Sequence, residues 1–482
     1  MIKREKLRVM KFGGTSVGDA ECIRRTAEII ACAAMQRSVV TVVSAMCGVT
    51  DRLIQVAKRS ATGETSAATE LVAALRQSHF ATLDSLISDS RSYSRLAAET
   101  ERLINEASRL CLETARARKL TPRMLDAIAS IGERLSARLV AGALCALKQP
   151  GVVVDATELI VTNELHAAAE PLMEHTRERA RARLLPLLND GALPVVTGFI
   201  GATTGSVLTT LGRGGSDYSA TILGAVLDAE EIILWTDVDG ILTADPRLIS
   251  EARTQPRLSY GEAHDLASFG AKSLHPKTLR PVMEVGIPVH IRNSFAAESP
   301  GTIITPGGDA RESRVKAVVA LSEVCLIAVS GERINDLQDK MGKSAGLISG
   351  LRASFQPLVK LSTDCEVCFI TNKTSARRAV KSLRHALALQ MERITINWNI
   401  GVVAVIGDGV RDAPEIAARL RLVLESEGIK LITIGHGASK NNISVVVEAE
   451  ELRRTLVALH REFKLGQHAP APHVQLTVAA EL

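Results

Sequence analysis

Short apolar runs alternate with amphipathic stretches along most of this chain. The runs predict buried strands, and they lie at residues 7–12, 38–44, 152–154, 193–197 and 232–235. From about residue 66 to 147 the pattern differs, because apolar residues recur at spacings of three and four, which predicts amphipathic helices. Strands that alternate with helices indicate an α/β fold, in which a mostly parallel sheet is sandwiched by helices.

The pattern changes again after residues 298–309, a segment dense in proline, glycine and serine. Such a composition is typical of a linker, so we expect a first domain at residues 1–307. Beyond the linker, a strand-helix-strand-strand-helix pattern occurs twice. The sequence therefore predicts two small α+β modules, at residues 320–395 and 396–466, followed by a tail at 467–482.

Composition narrows the class of protein. The 482 residues are 46% hydrophobic, which allows sizeable cores, and no run approaches the roughly 18 apolar residues of a membrane span. The net charge of +5 favours anionic substrates, but aromatic residues make up only 3%, so a stacking platform for nucleic acid is not expected. Eight scattered cysteines do not form a disulfide framework. We expect a cytoplasmic protein without a nucleic-acid or membrane partner.

The first candidate site follows the first strand, where Lys11 precedes Gly13 and Gly14. Two glycines let the backbone turn sharply and bring bare amide groups close to an anion. Lys11 adds a mobile positive charge, and Thr15 and Ser16 can cap the following helix. The pattern indicates a phosphate site, although the same glycines also suit a purely structural turn.

A second glycine-rich turn, at residues 211–217, precedes an apolar helical stretch. Its Arg213 carries a planar guanidinium that suits a carboxylate or a phosphate. A third segment, residues 231–240, reads as a buried strand that ends in a hydroxyl and two carboxylates. Ligands of open α/β sheets bind at this carboxyl edge, although residues 237–240 also suit an ordinary turn.

Glu133 lies in the predicted helical section, where a glutamate is ordinarily exposed. The preceding Gly132 lets another part of the chain approach closely. A carboxylate at such a place can receive the ammonium group of an amino acid.

Taken together and in this order, six segments resemble the aspartokinases of the amino acid kinase family, and the second terminal module resembles an ACT domain. The resemblance covers nearly the whole chain. The segments are residues 11–16, residues 43–45 with Thr50, and residues 131–133, 211–217, 235–240 and 270–276.

The resemblance implies a role for each matching residue. Lys11 and Asp217 are the implied catalytic pair, although Asp217 also suits a helix cap. The implied substrate residues are Thr50, Glu133, Arg213, Gly214, Gly215 and Ser216. The implied ATP residues are Lys11, Gly13, Gly14, Thr236, Asp237, Leu242, Arg247, Lys272 and Ser273. Many relatives carry an aromatic residue in place of Leu242, so a weaker hold on the base is expected.

The implied activity is the ATP-dependent phosphorylation of the side-chain carboxylate of L-aspartate to 4-phospho-L-aspartate. This is the first step towards lysine, threonine and methionine. Mg²⁺ is the expected cofactor beside ATP, and it needs few protein ligands because it keeps waters and bridges phosphate oxygens. Two alternatives stay open, a kinase for another small acid such as glutamate and a catalytically silent amino-acid sensor. Intact Lys11, Asp217 and Asp237 argue against the sensor.

The resemblance also implies regulation and assembly. ACT modules commonly bind amino acids, so feedback control by an amino-acid effector is expected. They usually pair across subunits, which implies a homodimer or a higher homo-oligomer. The first module is often inserted within the second in aspartokinases, so residues 311–322 are expected to add a strand to the second module.

Overall fold

Two compact units make up the part of the chain that the computed structural model describes, which is residues 7–270, 274–308, 314–330, 356–358, 366–386, 393–436 and 439–467. The first unit contains the described parts of residues 1–241, 256–260 and 272–307. The second unit contains the described parts of residues 242–255, 261–271 and 308–482.

The first unit is built on a sheet in which eight described strands follow the order β3-β5-β2-β1-β8-β10-β11-β9. These strands are β1 (Leu7–Phe12), β2 (Ser38–Val43), β3 (Gly151–Val154), β5 (Leu193–Thr197), β8 (Glu231–Thr236), β9 (Arg257–Ser259), β10 (Val289–Asn293) and β11 (Thr302–Thr305). A smaller sheet contains β4 (Val161–Thr162), β6 (Ile200–Thr203) and β7 (Leu208–Thr210).

Adjacent strands from β3 through β10 run parallel, and only β11 pairs antiparallel to its neighbour β10. Phe12 at the end of β1 lies opposite Val43 on one side and Trp235 on the other. The carboxyl ends of these strands therefore meet at one edge of the sheet. The predicted mostly parallel sheet is confirmed.

Helices surround this sheet because their apolar faces must be buried against it or against one another. They are α1 (Ala20–Ala34), α2 (Val49–Ser60), α3 (Ser66–Leu86), α4 (Ser90–Ala117), α5 (Pro122–Ala129), α6 (Ile131–Ala146), α7 (Met173–Asn189), α8 (Gly215–Val226) and α10 (Arg280–Met283), whereas α9 (Tyr260–Ser268) lies in the second unit apart from its first residue. In α4 the predicted face is buried at Leu96, Thr100, Leu103, Ala107 and Thr114. Short 3-10 turns occur at Thr15–Val17, Ala156–Glu158 and Pro276–Leu279.

The second unit is built on an antiparallel sheet with the order β13-β14-β12-β15-β17-β16 among the described strands. Its strands are β12 (Val315–Ser330), β13 (Gln356–Leu358), β14 (Glu366–Asn372), β15 (Arg393–Gly407), β16 (Leu431–His436) and β17 (Asn442–Glu448). Its helices are α11 (Ala376–Ala386), α12 (Pro414–Ser426) and α13 (Leu452–Glu462), with 3-10 turns at Lys373–Ser375, Val410–Asp412 and Ala449–Glu451.

The long strands β12 and β15 lie side by side at the centre of this sheet. Residues 315–321 pair with residues 402–407, and residues 324–330 pair with residues 393–400. One core of the unit forms where α12 and α13 pack on β15 and β17, with Leu420 and Leu459 fully buried.

Two stretches that precede the linker pack with the second unit. In residues 242–255, the Thr243 carbonyl accepts a hydrogen bond from the Val318 amide at 2.9 Å. In residues 261–271, Asp265 accepts one from the Asn442 side chain at 3.0 Å, and both residues are buried. The predicted domain boundaries do not mark these two stretches. Among the described residues, no helix has the length and apolar character needed to cross a membrane.

Candidate functional site

A cavity of about 750 Å³ opens in the first unit. Its wall includes the turn after β1, the loop after β2, the start of α8 and the end of β8. The wall contains twelve of the residues that the sequence predicts for the site: Lys11, Gly13, Gly14, Thr50, Glu133, Arg213, Gly214, Gly215, Ser216, Asp217, Thr236 and Asp237.

Lys11 and Asp217 form an ion pair in this wall. Lys11 Nζ lies 2.6 Å from Asp217 Oδ1, and the two side chains are 11% and 19% exposed. Lys11 belongs to β1, whereas Asp217 lies in the first turn of α8. The helix N-terminus adds partial positive charge at the same place. The pair thus combines a positive charge with a fixed partner that orients it.

The structure corrects the suggestion that Asp217 caps its helix. Gly214 is the N-cap residue of α8, and no side-chain hydrogen bond caps this helix. Asp217 lies three residues after Gly214, and its carboxylate forms the ion pair with Lys11.

The glycine turn after β1 is tightly packed. The Gly13 amide donates to the Trp235 carbonyl at 3.1 Å, so the expectation of a bare amide is wrong at this residue. A Cβ atom on Gly14 would lie 3.0 Å from the Ala45 carbonyl oxygen. A side chain would therefore crowd the backbone here, which explains the glycine.

The helix cap predicted at Thr15 or Ser16 is also wrong. These residues form a 3-10 turn, and the Ser16 hydroxyl is buried within 2.8 Å of the Ser294 hydroxyl. Helix α1 begins later, and its cap is Asp19, whose carboxylate accepts from the Cys22 amide at 2.8 Å. Asp is as good an N-cap as Ser, so the sequence pattern alone did not separate them.

The second glycine turn has a backbone that only glycine adopts readily. Gly212 and Gly214 have φ angles of +81° and +71°. A Cβ atom on Gly214 would lie 2.6 Å from the His275 Cβ atom. Between these glycines, Arg213 is exposed, and its guanidinium forms no ion pair with any described residue. Its charge is available to a ligand.

Glu133 lies in the first turn of α6 and is only 3% exposed. Burial raises the pKa of its carboxyl to about 8, and the backbone amides of Ala45 and of Glu133 itself oppose this shift. Its Oε2 atom has no hydrogen-bond partner among the described residues. A buried carboxylate oxygen without a partner is costly, so this geometry favours a cationic ligand.

Gly132 explains how α6 approaches the cavity. A Cβ atom on Gly132 would lie 2.7 Å from the Ala45 Cβ atom and 3.2 Å from Val49 Cγ1. Glycine is therefore needed for the close approach that the sequence predicts, and this approach brings Glu133 to the wall.

The end of β8 contributes a hydroxyl and a carboxylate. The Thr236 hydroxyl donates to Asp237 Oδ1 at 3.2 Å, and the Thr236 carbonyl accepts from the Ser294 amide at 2.9 Å. Thr50 lies at the start of α2 and also lines the cavity.

Two predicted nucleotide residues that the structure describes, Leu242 and Arg247, are not among those that line the cavity. Leu242 and Arg247 belong to the second unit, where Leu242 forms a bridge with Thr254 and Arg247 Nε donates to Asp245 at 2.9 Å. The predictions for Lys272 and Ser273 lie outside the described residues.

The sequence reasoning missed Asp126, which also lines the cavity and is 1% exposed. It accepts hydrogen bonds from Thr210, His166 and Ala167. These partners are 40 to 84 residues away along the chain, so no local motif indicates the cluster.

Comparisons with known proteins identify the family of the chain. The family model of the amino acid kinase family matches residues 6–293, and that of the ACT domain matches residues 403–463. Lysine-sensitive aspartokinase 3 of Escherichia coli (strain K12) is 31% identical over 458 residues, which cover 94% of this chain and 98% of that protein. The chain belongs to the amino acid kinase family, among the aspartokinases.

Further comparisons of this aspartokinase chain extend the match. Aspartokinase 1, chloroplastic, of Arabidopsis thaliana is 32% identical over 464 residues, covering 94% of this chain and 80% of that protein. The crystal structure of E. coli aspartokinase III in complex with aspartate and ADP (R-state) matches with a TM-score of 0.81 at 29% identity, covering 95% of this chain and 99% of the other. The predicted family, fold class and kinase activity are confirmed.

Proposed function

We propose that this cavity transfers the γ-phosphoryl group of ATP to the side-chain carboxylate of L-aspartate, giving 4-phospho-L-aspartate and ADP. The observation that carries the proposal is the charge arrangement of the wall. A buried carboxylate without a full set of partners, Glu133, and an unpaired guanidinium, Arg213, line the same cavity as the Lys11–Asp217 pair. An amino acid with a second carboxylate complements all three.

The acceptor would bind through opposite charges. Its ammonium group would pair with Glu133, and its α-carboxylate would pair with the Arg213 guanidinium, which can donate two parallel hydrogen bonds. The remaining proposed contacts come from Thr50, Gly214, Gly215 and Ser216, which line the same cavity. This arrangement directs the side-chain carboxylate of the acceptor away from its two charged anchors.

The transfer needs positioning and charge stabilisation more than a base. An aspartate side chain is already ionised at neutral pH, so its oxygen can attack the γ-phosphorus directly. The new bond joins this oxygen to phosphorus, and the bond from phosphorus to the bridging oxygen of ADP breaks. Lys11 would stabilise the charge on the transferring group, and Asp217 would hold Lys11 in place.

The proposed nucleotide residues lie partly in the cavity wall. Gly13, Gly14, Thr236 and Asp237 line it beside Lys11. We extend the proposal to Leu242, Arg247, Lys272 and Ser273 on the basis of the motifs alone. A relative of this chain is described in complex with ADP, which supports the use of ATP.

The residues present fit Mg²⁺ bound mainly through the nucleotide. Asp217 and Asp237 are carboxylates in the cavity wall, and Mg²⁺ typically takes one or two carboxylates together with phosphate oxygens and waters. When bound, Mg²⁺ would neutralise charge on the phosphates. In this chain, Asp217 would still orient Lys11, because the two already form an ion pair.

We also propose feedback control through the terminal modules, at residues 320–395 and 396–466, with residues 311–322 contributing a strand to the second. The pairing of residues 315–321 with 402–407 supports that strand, and the ACT match at 403–463 supports the second module. One relative is described as lysine-sensitive, so lysine is the first effector to test. A homo-oligomer and a cytoplasmic location stay predictions.

The proposed reaction is tested by trapping its product. ATP turnover is measured with aspartate, with glutamate or without an acceptor, each in the presence of hydroxylamine, which converts an acyl phosphate into a hydroxamate. We expect hydroxamate with aspartate only, and less of it if lysine is the effector and is added. Preferred turnover of glutamate would favour the alternative kinase. Absence of hydroxamate from folded protein that still binds an amino acid would favour the silent sensor.

A further inference from the structure

Asp126 is a buried carboxylate of the cavity wall that the proposed chemistry does not use. It lies on α5, and its side chain accepts hydrogen bonds from β7 and from residues 163–170. Thr210 Oγ1 donates to Oδ1 at 2.6 Å, and His166 Nδ1 lies 2.7 Å from Oδ2. The Ala167 amide lies 3.0 Å from Oδ1 and 3.1 Å from Oδ2. Both oxygens are therefore engaged.

These contacts fix the segment that leads to Arg213. Thr210 is the last residue of β7, and Gly212 follows it with φ +81°. The Thr210 carbonyl accepts from the Ala169 amide at 2.9 Å. A Cβ atom on Gly212 would lie 3.0 Å from the Ala167 carbonyl oxygen. Residues 163–170 thus pack against the glycine turn, and Asp126 forms hydrogen bonds to this segment and to Thr210, which precedes the turn.

Asp126 also stabilises an unfavourable backbone conformation in that segment. Ala167 has φ +63°, a left-handed conformation that costs roughly 1 kcal/mol or more for a residue other than glycine. Its amide is one of the donors to Asp126. Among the described residues, Asp126 is the only acceptor for the Ala167 amide. If the Asp126 side chain no longer accepted this bond, the left-handed conformation of Ala167 would be less stable.

The same residue is connected to the Glu133 side of the cavity. The Ser130 amide donates to the Asp126 carbonyl at 3.0 Å, and Ser130 directly precedes α6, whose first turn contains Glu133. The backbone of Asp126 is thus hydrogen-bonded to the residue that precedes α6 and Glu133. Its side chain is hydrogen-bonded to residues that pack against the turn containing Arg213.

We propose that Asp126 is a positioning residue that sets the spacing between Glu133 and Arg213, and thereby the affinity for the amino-acid acceptor. This inference rests on the proposed function, because it assumes that these two side chains bind the acceptor. Asp126 makes no contact with the nucleotide in this account, so its effect is selective for the acceptor.

The test is an isosteric substitution, Asp126→Asn. Asparagine keeps the shape but offers one acceptor oxygen in place of two, and its amide group would face a donor. We expect the KM for aspartate to rise about 5- to 150-fold, in line with the 1 to 3 kcal/mol of an unsatisfied buried group. The KM for ATP and kcat should change by no more than about twofold.

Two further variants separate positioning from general damage. Thr210→Val removes one donor to Asp126 and should raise the KM for aspartate in the same direction but by less. Asp228→Asn is a control for the same change of carboxylate to amide, because the exposed Asp228 also accepts from side chains, those of Arg177 and Arg181, but does not line the cavity. It should leave both KM values unchanged. Thermal midpoints are measured for all three.

The selective rise supports the inference. An unchanged KM for aspartate in Asp126→Asn overturns it, and so does an equal rise of the KM values for aspartate and for ATP. The proposed function is judged separately, on whether the wild type forms aspartyl hydroxamate. If the wild type prefers another acceptor, the proposed substrate is wrong, and the KM comparison is made with that acceptor.

Discussion

The two charged sides of the cavity differ in how their charges are satisfied. On the phosphoryl side, Lys11 and Asp217 neutralise each other at 2.6 Å. On the acceptor side, Glu133 is buried with one unpartnered oxygen, and Arg213 has no ion-pair partner among the described residues. The protein completes the first side itself and leaves the second to be completed by a ligand.

This difference follows from what each side has to do. A group that stabilises charge in a transition state works best when it is already oriented, because no reorganisation is then needed. A group that selects a substrate gains specificity when it is unsatisfied without that substrate. The raised pKa of Glu133, about 8, is the sign of this second condition.

The largest effect on activity is expected from removing Lys11, the positive charge of the phosphoryl side. Lys11→Ala should lower kcat roughly 10²- to 10³-fold, the usual cost of removing a charge-stabilising group, with the thermal midpoint little changed. ADP release in a coupled assay measures this loss. Lys58→Ala, an exposed lysine of α2, is the control. Turnover that survives in Lys11→Ala would remove this residue from the mechanism.

On the acceptor side, Arg213→Ala should act mainly on binding. A charge-assisted hydrogen bond contributes roughly 1.5 to 3 kcal/mol, so the KM for aspartate should rise about 10- to 150-fold, with a smaller change in kcat. Steady-state kinetics at varied aspartate measures the rise. Arg95→Ala, at an exposed position of α4, should have no effect. An unchanged aspartate KM in Arg213→Ala would contradict the assigned contact.

A smaller effect is expected from moving Glu133 without altering its charge. In Gly132→Ala the new methyl group would lie 2.7 Å from the Ala45 Cβ atom, so the start of α6 must shift. We expect a KM for aspartate raised by a few-fold and a stability loss of about 1 to 3 kcal/mol from overpacking. Gly307→Ala is the control, since nothing lies within 4 Å of its Cβ position. Equal kinetics of the two variants would show that Glu133 tolerates the shift.

The smallest effect concerns stability and pH. The folded-state pKa of Glu133, about 8, lies above the ordinary 4.5, so the folded protein binds a proton that the unfolded chain releases between these values. The associated stability is full below pH 4.5 and is lost as pH rises through 8. Glu133→Gln does not titrate.

The thermal midpoint of Glu133→Gln relative to the wild type, both without ligand, should therefore increase by a few degrees from about pH 5 to pH 8.5. Thermal unfolding at matched ionic strength measures it. A midpoint difference that stays constant over this range would mean that folding does not raise the pKa of Glu133 to about 8.

The sequence predicted those parts of the site that are local in the chain. Lys11, Gly13 and Gly14 are neighbours, as are Arg213 and Asp217, so their motifs indicated the cavity wall directly. The parallel sheet followed from the alternation of strands and helices. Such features depend only on the spacing of residues along the chain, which can be read directly from the sequence.

Features that depend on distant contacts were not predicted. Asp126 owes its position to Thr210, which is 84 residues away. Ser16 lies in a 3-10 turn before α1, and its buried hydroxyl contacts that of Ser294, a residue 278 positions away, whereas Asp19 caps α1. Residues 242–255 follow a motif of the first unit but pack with the second, which pattern alone does not indicate.

The central claim is that the ligand's ammonium group completes the charge of Glu133. The most direct test measures proton release on aspartate binding, by calorimetry at about pH 7 in buffers of different ionisation enthalpy. With a pKa of about 8, Glu133 is mostly protonated in the free protein, and pairing with an ammonium group would ionise it. We predict nearly one proton released per aspartate for the wild type and none for Glu133→Gln. Binding by the wild type without proton release would contradict the account.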